Sequence, residues 1–191
     1  MISMNKLSFF FVTFLLAANT FATPSSIVLI RHGEKPTTGP EGQELSKKGW
    51  QRAKKLPELF LKNSDLKLRG VPDFLIAIKP NSGTGSIRSI QTLQPISQWL
   101  KKPIQADFNK DEINELVQFI MHSPEMNDQV ILIAWQHDSI PELAKKLGAT
   151  NAPSEWPSKV FDRFWLFDYK NDHLVNFQNL PQHLLDTDSS K

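Results

Sequence analysis

Five residues carry the chemistry this sequence offers: Arg31, His32, Arg88, His137 and Asp138. Two arginines and two histidines gathered at one point make a strong anion cradle. A guanidinium presents a planar fork that fits a phosphate bidentately. A neutral imidazole is a nucleophile toward phosphorus when one ring nitrogen is free and the other is held by a hydrogen bond. Phosphoryl transfer asks for in-line placement and for stabilisation of charge on three equatorial oxygens. Arg31, Arg88 and His137 are the candidates for that charge, leaving His32 to attack. The departing alkoxide needs a proton, so a carboxylic acid is expected nearby.

These residues are far apart in sequence, and the elements that must bring them together are legible. Ser26-Ile27-Val28-Leu29-Ile30 is a short, mostly branched apolar run that ends in Arg31-His32-Gly33. Such a run reads as a strand buried on both faces. In an open α/β sheet, ligands sit beyond the carboxyl ends of the strands. Arg31 and His32 are therefore expected at the mouth of a site, with Gly33 letting the backbone turn sharply away. Asp73–Ile78 and Gln129–Trp135 repeat the apolar pattern, and the second of these delivers Gln136-His137-Asp138 to a strand end of the same kind. Arg88 falls in the first turn of a helix marked by Ile87, Ile90, Leu93, Ile96 and Leu100, which Pro95 is expected to kink or shorten. Three polar clusters at three strand or helix junctions are the central inference.

Between them, Ser46 is a reasonable N-cap for a helix whose Trp50, Ala53, Leu56, Leu59 and Phe60 recur at helical spacing. Lys47, Lys48, Arg52, Lys54 and Lys55 read as its solvated face, since no aromatic platform is interleaved there for nucleic acid. A short strand is expected over Pro103–Phe108 and a helix over Asp111–Met121. Ile140–Leu147 is expected as a helix closed by Gly148. Phe161–Asp168 and Leu174–Phe177 form a hairpin turning at Lys170-Asn171-Asp172, and the tail after Leu185 is expected to be loose. Strand–helix alternation with apolar strands gives an α/β fold, a three-layer α/β/α sandwich around a mostly parallel sheet.

Residues 1–22 stand apart. Lys6, the apolar run from Leu7 to Ala18 and the small residues of Thr20-Phe21-Ala22 form the pattern of a secretory signal peptide, with an uncleaved anchor as the rival reading. Residues 23–191 are then one domain, expected in the periplasm. The chain has no cysteine, which removes disulfides, thiolate metal sites and cysteine nucleophiles. Its formal charge of +2 becomes +1 without Lys6, giving no whole-protein argument for nucleic acid or membrane partners. No two histidines share metal-ligand spacing on one helix, so neither metal nor cofactor is expected. His122, His173 and His183 read as surface residues, and Trp135 and Trp165 as core or pocket wall.

Leu29-Ile30-Arg31-His32-Gly33-Glu34 resembles the signature of the histidine phosphatase superfamily, the phosphoglycerate mutase-like proteins. Leu45-Ser46 with Gly49 and Ala53 resembles the family's first helix, Ser86, Arg88, Gln91 and Thr92 its second-arginine motif, and Val130–His137 the strand of its second histidine. The resemblance implies a phosphohistidine on His32, phosphoryl binding by Arg31, Arg88 and His137, and no metal. It departs from the mutase pattern at Lys35, Pro36 and Thr37, where an asparagine is missing, which favours a phosphatase over a mutase. His137-Asp138 is what the acid-phosphatase branch carries, making Asp138 the first candidate proton donor, with Glu112 and Asp107 as rivals. Glu34 and Lys35 are possible pocket residues, Glu34 chiefly as a charge neutralising Arg31. There is no room for a large cap domain, so the pocket is expected to be open. The expectation is a metal-independent phosphomonoesterase acting on a small-molecule or glycan-linked phosphate of the cell envelope. The alternatives are a catalytically weak phospho-ligand binding protein, or a protein phosphohistidine phosphatase.

Overall fold

The computed structural model describes residues 23–37, 43–80 and 86–189, so the expected signal peptide lies outside the described residues. Six strands form one sheet: β1 (Ser26–Arg31), β2 (Phe74–Ala77), β3 (Ile104–Gln105), β4 (Val130–Trp135), β5 (Arg163–Lys170) and β6 (His173–Pro181). Their spatial order is β3-β2-β4-β1-β5-β6, with β3, β2, β4 and β1 mutually parallel and β5 antiparallel to both its neighbours. The central pair, β1 and β4, is buried along its whole length, which explains why both strands are unbroken apolar runs.

Side-chain alternation divides the core in two. Ile27, Leu29, Ile131, Ile133 and Trp135 face helices α4 (Ile113–His122) and α5 (Ile140–Lys146). Val28, Ile30, Leu132 and Ala134 face α1 (Lys47–Lys62), the short α2 (Ser64–Lys67) and α3 (Arg88–Leu100). The architecture is thus the expected three-layer α/β sandwich with a mostly parallel sheet.

Local chemistry accounts for the boundaries. Ser46 caps α1 by accepting from the Gly49 N–H at 3.1 Å. Gly148 follows α5 at φ 100°, the left-handed closing position that glycine takes without steric cost. Asn171 and Asp172, at φ 50° and 63°, make the two-residue turn between β5 and β6 that suits the twist of the hairpin. Pro95 does not shorten α3, which runs through it to Leu100. The buried Leu93 and Ile96 on either side of the proline hold both halves in the core, at the cost of one backbone bond.

Two expectations fail. Arg52 is not on a solvated helix face: it is 3 % exposed. The tail beyond Leu185 is not loose, because Asp188 accepts from the backbone N–H groups of Leu184 and Leu185 and pairs with Arg52. The two errors have one cause. The buried Arg52 guanidinium is held by two carboxylates, and the tail supplies one of them.

Candidate active site

The carboxyl ends of β1 and β4 lie side by side, with Arg31 opposite Trp135 and the His32 N–H donating to the Trp135 carbonyl at 3.0 Å. Pairing β1 with β4 therefore brings His32 and His137 to one end of the sheet. The α3 helix supplies Arg88 as its first residue, and its next turn fixes the loop after β1. There the Gly33 N–H donates to Thr92 Oγ1 at 2.8 Å, while Gln91 Oε1 accepts from the Leu45 N–H at 2.7 Å. Ser86 Oγ accepts from the Arg88 N–H. Ser86, Gln91 and Thr92 thus position the loop and the helix start that carry the charged groups.

Gly33 has a different reason from the one its place after a strand suggests. Its backbone does not adopt a left-handed conformation. A Cβ there would come within 3.0 Å of the Gly49 carbonyl, and one at Gly49 would come within 2.4 Å of the Glu34 carbonyl. The two glycines let the loop after β1 press against the first turn of α1.

His32 is 4 % exposed, and its Nδ1 lies 2.8 Å from the Gly33 carbonyl. A carbonyl can only accept, so Nδ1 carries the proton and Nε2 keeps its lone pair. Burial pushes the imidazole pKa down to about 3. The Gly33 bond works the other way, while the charges of Arg31, Arg88 and His137 add to the lowering. His32 is thus a neutral base of defined tautomer, with three cationic or ionisable groups around it.

Arg31 is held from behind. Its Nη1 donates to the Ser158 carbonyl at 2.6 Å and the Val160 carbonyl at 3.1 Å, and its guanidinium lies 3.8 Å from the Phe161 ring centre. Burial and Arg88 push its pKa down to about 10, against the opposing charges of Glu34 and Asp138. Two buried nitrogens of the cluster, Arg31 Nε and His137 Nδ1, have no hydrogen-bond partner among the described residues. Buried polar atoms are normally satisfied, and an oxyanion at this point would supply the acceptors. His137 is held below its ordinary pKa by burial, then by Arg31, with Lys35 contributing and Asp138 opposing.

The carboxyl candidates separate by position. Asp138 is exposed, steadied by Gln136 Nε2 and Ser139 Oγ at 3.2 Å each, and its charge acts on both Arg31 and His137. Glu112 accepts from the backbone and side-chain nitrogens of Asn109 at 2.8 and 3.0 Å, bonds that hold it below its ordinary pKa. Asp107 is exposed between β3 and α4. Glu34 neutralises a different arginine from the one beside it in sequence, accepting from Arg52 Nε at 3.1 Å and Nη2 at 2.8 Å. Lys35, exposed, lines the same cleft as Arg31 and His137, a space of about 920 Å³.

Sequence reasoning missed Arg52, Phe161 and the 158–160 carbonyls. A signal existed for Arg52, since it lies between Gly49 and Leu56 on the same stripe of α1 at helical spacing. Nothing local marks Ser158 or Val160, which reach Arg31 across 127 and 129 positions of chain. Trp135 and Trp165 are core residues, and His122, His173 and His183 are exposed, as expected. Among the described residues, no group of three or more His, Asp or Glu side chains could hold a metal ion, and no helix is long and apolar enough to cross a membrane.

No family model matches the sequence, and no curated protein is significantly similar to it. Solved structures are similar in fold. An Escherichia coli protein assigned as an alpha-ribazole-5'-P phosphatase superposes with a TM-score of 0.55 at 13 % identity, covering 83 % of this chain and 97 % of its own. A protein assigned as the phosphohistidine phosphatase SixA of Agrobacterium tumefaciens gives 0.51 at 15 %, covering 81 % and 97 %. A protein histidine phosphatase SixA complexed with tungstate gives 0.50 at 15 %, covering 82 % and 97 %. With its strand order, its layers and these neighbours, the chain has the histidine phosphatase, phosphoglycerate mutase-like fold.

Proposed function

We propose that this protein is a phosphomonoesterase that works through a phosphohistidine on His32 without a metal. One observation carries the reading: His32 is neutral, its tautomer is fixed by the Gly33 carbonyl, and it is surrounded by Arg31, Arg88 and His137. The Nε2 lone pair attacks phosphorus, and the P–O bond to the alcohol breaks. Arg31, Arg88 and His137 stabilise the equatorial oxygens. Asp138, the carboxyl whose charge reaches both Arg31 and His137, protonates the leaving oxygen. Water, giving its proton to the Asp138 carboxylate and so restoring the acid, then attacks the phosphohistidine and breaks its P–N bond, giving inorganic phosphate and free His32. Glu112 is the less suited donor, since its hydrogen bonds to Asn109 favour the ionised form. That related folds carry phosphatase assignments, and that one was solved with a tetrahedral oxyanion, supports the same chemistry.

The substrate is a small-molecule or glycan-linked phosphate ester, and an envelope location follows from the N-terminal pattern of residues 1–22. The decisive experiment uses labelled phenyl phosphate. The protein should form an acid-labile covalent phosphate adduct that His32→Ala lacks, and hydrolysis should survive a chelator. A binding protein on this fold forms no adduct; turnover by His32→Ala, or loss of turnover with chelator, overturns the mechanism. Asp138→Asn should slow poor leaving groups by about 10²-fold or more and activated aryl esters far less. The same pattern in Glu112→Gln instead would move the acid to that residue.

A further inference from the structure

Arg31 is held by backbone that no ladder fixes. Among the described residues, its Nη1 donates to the Ser158 carbonyl at 2.6 Å and the Val160 carbonyl at 3.1 Å, which engages both hydrogens of that nitrogen. Both acceptors lie in residues 147–162, a stretch with neither helix nor strand. A carbonyl inside a sheet is kept in place by its neighbours, whereas these two depend on whatever anchors the loop.

Trp156 is that anchor. Of residues 151–160 it alone is buried, between the exposed Glu155 and Pro157. Its ring packs on Trp165 of β5, with centroids 5.0 Å apart and planes at 42°. Trp165 is paired across the sheet with Leu29, which lies two residues before Arg31 on β1. The Trp156 indole Nε1–H donates to the Val160 carbonyl at 2.9 Å. A carbonyl has two lone pairs, so this one oxygen takes both the indole and the guanidinium. The Val160 N–H in turn donates to the Pro157 carbonyl at 2.9 Å, closing the turn that presents Ser158. The contacts form a circuit from β1 through Trp165 and Trp156 to the Val160 oxygen, and back to β1 at Arg31. Packing asks only for a ring at 156. The bond to the oxygen that Arg31 uses asks for the indole N–H.

We propose that Trp156 is a positioning residue for Arg31: its indole N–H fixes the Val160 carbonyl, which with the Ser158 carbonyl holds Nη1 and leaves Nε for the phosphoryl oxygens. The proposal deepens the phosphatase reading and rests on it for its kinetic arm. The full chain is compared with Trp156→Phe, which keeps a ring in the stack and loses the donor. This change should lower kcat/KM for phenyl phosphate about tenfold, the size expected from the loss of one hydrogen bond. In the Arg31→Met background it should cost about twofold or less, because the group it acts through is gone. A loss of the same factor in both backgrounds overturns the proposal, since a merely structural tryptophan costs as much without Arg31 as with it. A loss below about twofold in the unsubstituted background overturns it as well.

A nuclear magnetic resonance arm needs no turnover. In isotope-labelled protein the Arg31 Nε–H signal, assigned by its loss in Arg31→Met, should exchange with water about tenfold faster in Trp156→Phe. Conversely, the Trp156 indole N–H signal should move in Arg31→Met, a measurement that stands even if Trp156→Phe does not fold. An unchanged signal in either case overturns the anchor. If both signals respond but the unsubstituted protein does not hydrolyse phenyl phosphate, the anchor stands and the phosphatase reading alone fails.

Discussion

Arg31 and Arg52 are the same residue type, buried to the same degree at 2 % and 3 % exposure, yet their surroundings have opposite sense. Arg52 lies between two carboxylates: Glu34 on the loop after β1 and Asp188 from the tail, with Gln182 Oε1 accepting at 3.1 Å. Those bonds raise its pKa above the ordinary arginine value, even though burial alone would lower it. Among the described residues, Arg31 has only neutral carbonyls and a ring as direct partners, beside a second cation, and its pKa goes down. A cation whose charge is fully answered inside the protein holds the structure together. One held in place by neutral partners, with no carboxylate bonded to it among the described residues, is poised for a ligand.

The comparison breaks most sharply at Arg52. Arg52→Met strands Glu34 and Asp188 as buried carboxylates without their cation, and urea denaturation should show a loss of about 3–5 kcal/mol. A loss below about 1 kcal/mol would mean the knot is not structural. Arg31→Met should do the reverse. It should cost about 10²–10³-fold in kcat/KM for phenyl phosphate, of the order of losing an oxyanion donor, with stability unchanged or slightly raised by relief from Arg88. Equal destabilisation by the two substitutions would erase the distinction.

The smallest effect is a matter of pH. The folded His32 pKa, about 3, lies below the ordinary value of 6.5, so the unfolded chain takes up a proton that the folded chain refuses. Stability should therefore fall as pH drops from about 6.5 toward 3, with His32 contributing about 2 kcal/mol of that loss at pH 5. His32→Gln should flatten the profile over this window, which urea midpoints at a series of pH values would show. A profile unchanged by the substitution would mean His32 titrates normally and is not the buried neutral base described here.

Much of the fold was legible because its signals are local. Val28-Leu29-Ile30 and Ile131-Leu132-Ile133 are apolar on both faces, so only a central strand suits them, and Asn171-Asp172 suits the hairpin turn it forms. Gln91 and Thr92 stood in a recognisable pattern with Arg88, and their hydrogen bonds explain why. Arg52 and Asp188 were misread for a shared reason. A charged residue on a helix and a polar tail each look solvated until the partner is known, and the partner is 136 positions away. Glu34 likewise has an arginine beside it in sequence and answers a different one in space.

From its order of residues alone, this chain determined which elements form and which side chains stand at their ends, since hydrophobic period and capping act over a few residues. The tertiary structure decided which of those ends meet and which charges cancel. Burial, dielectric and the distance between charges exist only once the sheet has closed and the tail has docked, and they separate the cation left for a ligand from the one spent on the fold.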